Sequence, residues 1–335
     1  MRRPESRWKH LGWGAVLLVV VWGLVWGGCS KKKAPTRKAE EEARRVGAPS
    51  SPKEQEAEEK QGPKRIIMMI GDGMGAAAIS GAAYASSEGM EMLSMERLNY
   101  LTTHSHEYVT TDSAASATAF ATGQKTHYEG VAVKPGTTRE NEEKKVQHLK
   151  TALEAAEGRG WKSGLVATAR IVHATPAAFG SHRANRHSYE EIARDMSQSG
   201  VDLLLGGGRK YFQDRSDGAD LLEQMARGGM TLVEDAEEFE DARGVATRLA
   251  GLFAEKDPPG VDRGERTVDL AEMTEGAIEV LDRQNDSGFF LMVEGSQIDW
   301  REHDLSPLST IEETRDFDRA VGRVLEYARG RDDTL

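Results

Sequence analysis

The chain has 335 residues, a formal net charge of −11 and a single cysteine. The acidic balance excludes nucleic acid and an anionic membrane surface as electrostatic partners, because both would repel it. One cysteine excludes any disulfide within the chain.

At the N-terminus Arg2, Arg3, Arg7 and Lys9 precede an apolar run over residues 11–26, and Gly27-Gly28-Cys29-Ser30 follows. A basic segment, a short apolar segment and small residues describe a secretory signal, and the run is shorter than the roughly 20 residues a spanning helix needs. Gly27-Gly28-Cys29 resembles the lipobox of bacterial lipoproteins. Residues 1–28 are therefore expected to be a lipoprotein-type signal peptide, with Cys29 acylated as the new N-terminus. A plain signal peptide or an uncleaved anchor is the competing reading. On the first reading the protein is exported and lipid-anchored, in the periplasm or at the cell surface. Residues 29–64 are rich in Lys, Glu, Ala and Pro with almost no large apolar side chain. They cannot bury enough surface to offset their ordering entropy, which predicts a flexible charged tether.

Residues 65–335 make a segment whose length suits one large domain. Residues 66–70 read as a buried strand before a helix near 74–86, and 106–110 as a short strand before a small-residue helix. A helix is expected over 146–157, ending at Gly158, then strands over 164–168 and 201–205, the latter closed by Gly206-Gly207-Gly208. A long helix over 267–284 leads to a strand over 289–293. Residues 306–329 form one further helix, with Phe317, Val321, Val324, Leu325 and Ala328 on one stripe. Residues 332–335 look like the first residues of another strand. Such alternation predicts an α/β domain, a three-layer α/β/α sandwich around a mostly parallel sheet, with ligands gathered outside the carboxyl ends of the strands.

Four segments carry the polar residues expected at those ends. In Ile70-Gly71-Asp72-Gly73-Met74-Gly75 a carboxylate stands between two glycines, which lets other groups approach a metal closely. A dinucleotide loop is the alternative, since Gly71, Gly73 and Ala76 fit G-x-G-x-x-A, but Asp72 would repel a pyrophosphate. In Thr111-Asp112-Ser113-Ala114-Ala115-Ser116 the serine sits at a helix start, either as an N-cap or as a nucleophile beside a bound anion. His173-Ala174-Thr175-Pro176 is followed at a distance by His182, Arg183 and Arg186. Finally, Glu294 ends a strand, and Asp299 and His303 share the i, i+4 spacing that places two ligands on one helical face. Each of these alone has a structural explanation as a cap, a surface pair or an ion pair. Four in one α/β domain favour a site.

On these motifs, together with Leu205-Gly206-Gly207-Gly208-Arg209-Lys210-Tyr211-Phe212, Leu270-Ala271-Glu272-Met273-Thr274 and Val293-Glu294-Gly295, the chain resembles the bacterial alkaline phosphatases from about residue 65 onward. The resemblance implies hydrolysis of phosphate monoesters through a phosphoserine at Ser113, with two zinc ions and a third metal site that usually holds magnesium. It implies that Asp72 bridges one zinc and the third metal, and that Thr175 and Glu294 complete the third site, with His173 beside it. Ser113 would face the first zinc, and Asp299 and His303 would hold the other. Arg186 would grip two phosphate oxygens in its planar fork, oriented by Asp112. A homodimer is also implied.

His173 stands where some family members have aspartate, and Trp300 where some have a basic residue. His104, His106, His127, His148 and His187 match no ligand position. The domain is expected to lack its C-terminal strands, because the segments that complete both zinc sites in the family would follow residue 335. Two readings are therefore open: a phosphomonoesterase, or a catalytically inactive remnant or phosphate-binding lipoprotein. A related sulfatase or phosphodiesterase activity is a more distant alternative.

Overall fold

The computed structural model describes residues 62–97 and 99–335. The expected signal peptide, Cys29 and most of the expected tether lie outside the described residues.

In chain order, β1 (Arg65–Gly71) leads to α1 (Ala76–Ala85), α2 (Ser113–Thr122) and α3 (Ala152–Glu157). Next come β2 (Lys162–Arg170), α4 (Ala174–Gly180), α5 (Tyr189–Gln198) and β3 (Leu203–Gly207). The chain continues through α6 (Lys210–Gln213), α7 (Leu221–Arg227), β4 (Thr231–Val233), α8 (Ala236–Arg243) and β5 (Leu249–Leu252). It closes with α9 (Leu270–Asp282), β6 (Phe289–Gly295), α10 (Gln297–His303) and α11 (Pro307–Ala328).

The six strands form one sheet in the order β1-β6-β2-β3-β5-β4. Every pairing is parallel. Parallel strands need covering on both faces, and the strand sequences supply apolar side chains to both. Leu165, Leu204, Phe290 and Met292 pack on one face with α3, α4, α5 and α7. Val166, Leu205, Leu291 and Val293 pack on the other with α8, α9 and α11. The expected α/β/α sandwich is thus the observed one. Fully burying a side chain such as Leu165 is worth roughly 1.5–3 kcal/mol, and the two clusters hold the strand ends in fixed register. Ile70 lies opposite Glu294, and Ala167 opposite Glu294 from the other side. After α11, Thr334 bridges Arg65 in parallel, and Leu335 N–H donates to Arg65 O at 2.8 Å, so the strand-like reading of 332–335 holds.

Two expected elements differ. Residues 106–110 form no strand. The Ser105 hydroxyl accepts from Tyr108 N–H at 3.0 Å, turning the chain, and Val109 is 92 % exposed. The helix expected over 146–157 begins only at Ala152, because Thr151 and Glu154 form a capping box that fixes the start. Residues 145–147 make a single 3-10 turn. The strands β4 and β5 were not read from the sequence. Among the described residues no helix is long and apolar enough to cross a membrane.

Candidate active site

Three of the four expected segments lie past strand ends. Asp72 follows β1, His173 and Thr175 follow β2, and Glu294 closes β6 just before Asp299 and His303 on α10. Ser113 comes instead from an irregular segment and is carried by α2. The cap of α2 is Asp112, not Ser113: the Asp112 carboxylate accepts from the backbone N–H groups of Ala114 and Ala115, both at 3.2 Å. Ser113 is therefore the first helical residue, with its hydroxyl free of capping and donating to Asp72 Oδ2 at 3.1 Å.

Asp112 also accepts from Glu129 N–H and from the Arg186 guanidinium, each at 3.2 Å. The other terminal nitrogen of Arg186 lies 3.1 Å from His173 Nε2. An arginine nitrogen can only donate, so His173 accepts there and carries its own proton on Nδ1, which is buried without a partner. Burial, then the Arg186 charge, pushes His173 down to about 3, so the ring is neutral.

Ser113, Arg186, Asp72, Thr175, Asp299 and His303 line one cavity of about 800 Å³, together with His173 and Trp300. Trp300 sits edge-on to His173, with ring centroids 5.6 Å apart. A larger groove of about 1060 Å³ lies between α11 and the start of α9. Three of its carboxylates are already engaged: Asp269 and Glu272 form a capping box, and Asp318 accepts from Glu91 and Met92 N–H. It contains none of the expected site residues.

The electrostatics at the wall of the smaller cavity are unusual, where Asp72 and Thr175 line it and Glu294 lies behind them. Glu294 is wholly buried; burial, then the nearby Asp72 charge, pushes it up to about 8. Asp72 is pushed up to about 6 by burial and then by Asp299. Glu294 Oε1 is buried with no hydrogen-bond partner. Two carboxylates and the Thr175 hydroxyl converge there, an all-oxygen donor set that suits a hard cation such as Mg²⁺. Gly73 leaves space for this crowding, since a Cβ at its φ of +66° would lie 2.8 Å from Asp299 Cα and Oδ1. Asp299 and His303 face one another across a helical turn at 3.5 Å, as their spacing predicts. Among the described residues no three His, Cys, Asp or Glu side chains converge as one metal-binding group.

The alkaline phosphatase family profile matches residues 63–335. The chain belongs to the alkaline phosphatase family. It is 36% identical over 289 residues to alkaline phosphatase 3 of Bacillus subtilis, covering 81% of this chain and 59% of that protein. To the alkaline phosphatase of Escherichia coli it is 33% identical over 331 residues, covering 81% and 68%. The chain thus spans well under two thirds of the Bacillus relative's length. Among solved structures, the alkaline phosphatase of the Antarctic bacterium TAB5 superposes with a TM-score of 0.75 at 34% identity, covering 82% of this chain and 77% of that one. A histidine-to-glutamate variant of that enzyme, with Mg bound in its M3 site, superposes equally well, at 0.75.

His182, Glu129 and Thr118 have no role that the sequence reveals. No residue-type signal marks them: their importance lies in which backbone groups they touch.

Proposed function

We propose that this alkaline phosphatase family member hydrolyses phosphate monoesters outside the cytoplasm, with Ser113 as nucleophile. The observation that carries the reading is the Ser113 hydroxyl at the start of α2, hydrogen-bonded to Asp72 in the cavity that also holds the Asp112-anchored Arg186. Arg186 offers two parallel donors to two phosphoryl oxygens, which a lysine could not do. The first N–H groups of α2 add their partial positive charge at the same place. Ser113 Oγ gives up its proton to water and bonds to phosphorus as the ester oxygen departs and takes a proton from water, giving phosphoserine. A further water then displaces the serine, a proton returns to Oγ, and phosphate is released. Asp72 accepts the hydrogen bond from the Ser113 hydroxyl and orients it toward the bound ester.

Asp72, Thr175 and Glu294 would hold magnesium, with His173 beside them. Asp72 with Ser113 would contribute to one zinc site, and Asp299 with His303 to the other. When bound, these ions supply Lewis-acid stabilisation of negative oxygens.

The test is turnover of p-nitrophenyl phosphate by the full chain supplied with zinc and magnesium, followed by acid quench and peptide mass spectrometry. Hydrolysis lost in Ser113→Ala, with phosphate trapped on Ser113 of the wild type, is the expected result. Undiminished turnover in the variant would overturn it. A second reading, phosphate binding without turnover, is favoured by the two-residue contributions to each zinc site among the described residues. Tight phosphate binding with no hydrolysis at saturating zinc would select it.

The lone Cys29 after two glycines supports export and lipid anchoring, which predicts fatty-acid labelling that Cys29→Ser abolishes. Exposed Tyr84, Tyr100, Leu101 and Val109 support association with a second copy, measurable by sedimentation.

A further inference from the structure

Arg186 enters the cavity from the loop between α4 and α5, and something must hold that loop. Val131 and Arg183 exchange both backbone hydrogen bonds, at 2.9 and 3.0 Å, and Arg186 N–H donates to Glu129 O at 3.0 Å. The segment that receives the loop is itself strained. Glu129 has φ of 65° and Ala132 φ of 44°, and neither is glycine. Backbone in that region persists only where its surroundings over-determine it.

Ala132 is held from both sides. Its N–H donates to Thr118 Oγ1 at 2.9 Å, on the helix that carries Ser113. Its carbonyl accepts from Leu149 N–H at 2.9 Å and lies 2.8 Å from His182 Nδ1. The other ring nitrogen of His182 is 3.1 Å from Glu154 Oε1. Both partners of the ring are acceptors. A neutral imidazole has one N–H and can satisfy only one of them, whereas the imidazolium satisfies both.

We propose that His182, as the imidazolium, is the positioning residue for Arg186. By donating to Ala132 O and Glu154 together, it locks the strained 129–133 segment against which the arginine loop pairs. The same bond, through Ala132 and Thr118, ties that loop to the helix of Ser113. The proposal rests on Arg186 being the phosphate-binding arginine.

The surroundings are consistent with a charged His182. Burial opposes the charge, but Glu154 and the Ala132 carbonyl outweigh it and hold the ring above the usual histidine range. Glu154 is fixed in turn, since its Oε2 accepts from Thr151 N–H in the capping box. His148 stacks on His182 at 4.2 Å, with the planes 6° apart. Burial, then the His182 charge, pushes His148 down, so the stacked neighbour yields the charge to His182. Asp195 adds a favourable field but is itself paired with Arg183, which also binds Glu143.

The experiment is amide hydrogen exchange of the full metal-loaded chain, with inorganic phosphate affinity measured by calorimetry. In His182→Ala, exchange at Val131, Arg183 and Arg186 should rise about tenfold more than in β3, and phosphate should bind about tenfold more weakly, the scale of one charge-assisted hydrogen bond. His182→Asn, which can replace the donation to Ala132 O but not the one to Glu154, should recover only part of both. In the wild type, protection of the three amides should fall as pH rises through deprotonation of His182, and Glu154→Gln should remove that dependence. A uniform rise that includes β3, or unchanged phosphate affinity in His182→Ala, would overturn the proposal. If Arg186→Ala leaves phosphate binding intact, the arginine's assignment falls, and the exchange data still decide whether His182 holds the loop.

Discussion

The Asp112 carboxylate serves two structures at once: it caps α2 through two backbone amides and holds Arg186 through its side chain. These roles can be separated. Asp112→Asn keeps a competent cap and should melt within a few degrees of wild type, while losing the charge that holds Arg186 and binding phosphate more weakly. Asp112→Ala should lose in addition about 1 kcal/mol of cap stability. Thermal melts paired with phosphate calorimetry would check both, and equal melting of the two variants would show that the cap is not significant. At this scale much of the site was legible, because Asp72, Glu294 and the Asp299–His303 pair are announced by strand ends and spacing. The Asp112–Arg186 pair was reached only through family resemblance, since 74 residues separate the two. The hold on Ala132 was not legible at all, because nothing about an alanine signals a positive φ.

Where α3 ends against β2 and β3, Glu157 and Asp202 both reach Ser163: its hydroxyl donates to Glu157 at 2.8 Å and its N–H to Asp202 at 3.0 Å. Burial pushes Glu157 up, and the Asp202 charge pushes it further. A carboxylate raised in the folded state binds its proton more tightly there than when unfolded. Its contribution is thus most favourable below the unfolded pKa and is lost as pH rises through the folded value. Glu157→Gln, which keeps an acceptor for Ser163, should therefore raise the melting temperature at pH 8 and give no gain near pH 4. A constant difference across that range would contradict the assignment. Element legibility followed the apolar run rather than burial, since half-buried β1 was read and fully buried β5 was not. The runs in β1 and β6 are long and apolar, β3 belongs to the 201–205 run, which is apolar apart from Asp202, and all three were read. By contrast β5 is only Leu249–Leu252 and contains Gly251, against which Phe253 packs closely. The segment 106–110 has strand-like composition, but the Ser105 side chain takes amides that a neighbouring strand would need.

For the molecule as a whole, the cavity is a place where folding free energy and ligand chemistry meet. Asp72 and Glu294 sit at neighbouring strand ends and repel one another in a buried setting. A divalent cation bound there would stabilise the fold by mass action, about 2.7 kcal/mol at a hundred times its dissociation constant. Magnesium should therefore raise the melting temperature by several degrees and EDTA should reverse it, with Glu294→Gln blunting the response. Identical melts with and without magnesium would refute a site at these residues. The α/β class, the parallel sheet and the placement of the cavity at the carboxyl ends were all legible from alternation. The strand order was not, because long-range pairing leaves no local trace.

That order has a consequence for how the chain is made. Strand β6 lies between β1 and β2, although it is synthesised long after both. While the ribosome has released only the first two strands, any pairing between them is a mistake that must reopen to admit the third. The last arrival brings Glu294, so Asp72 waits through more than two hundred residues of synthesis for its neighbour. Such distant pairing is slow, and any capture of a metal ion by this pair would belong to the end of folding rather than its beginning.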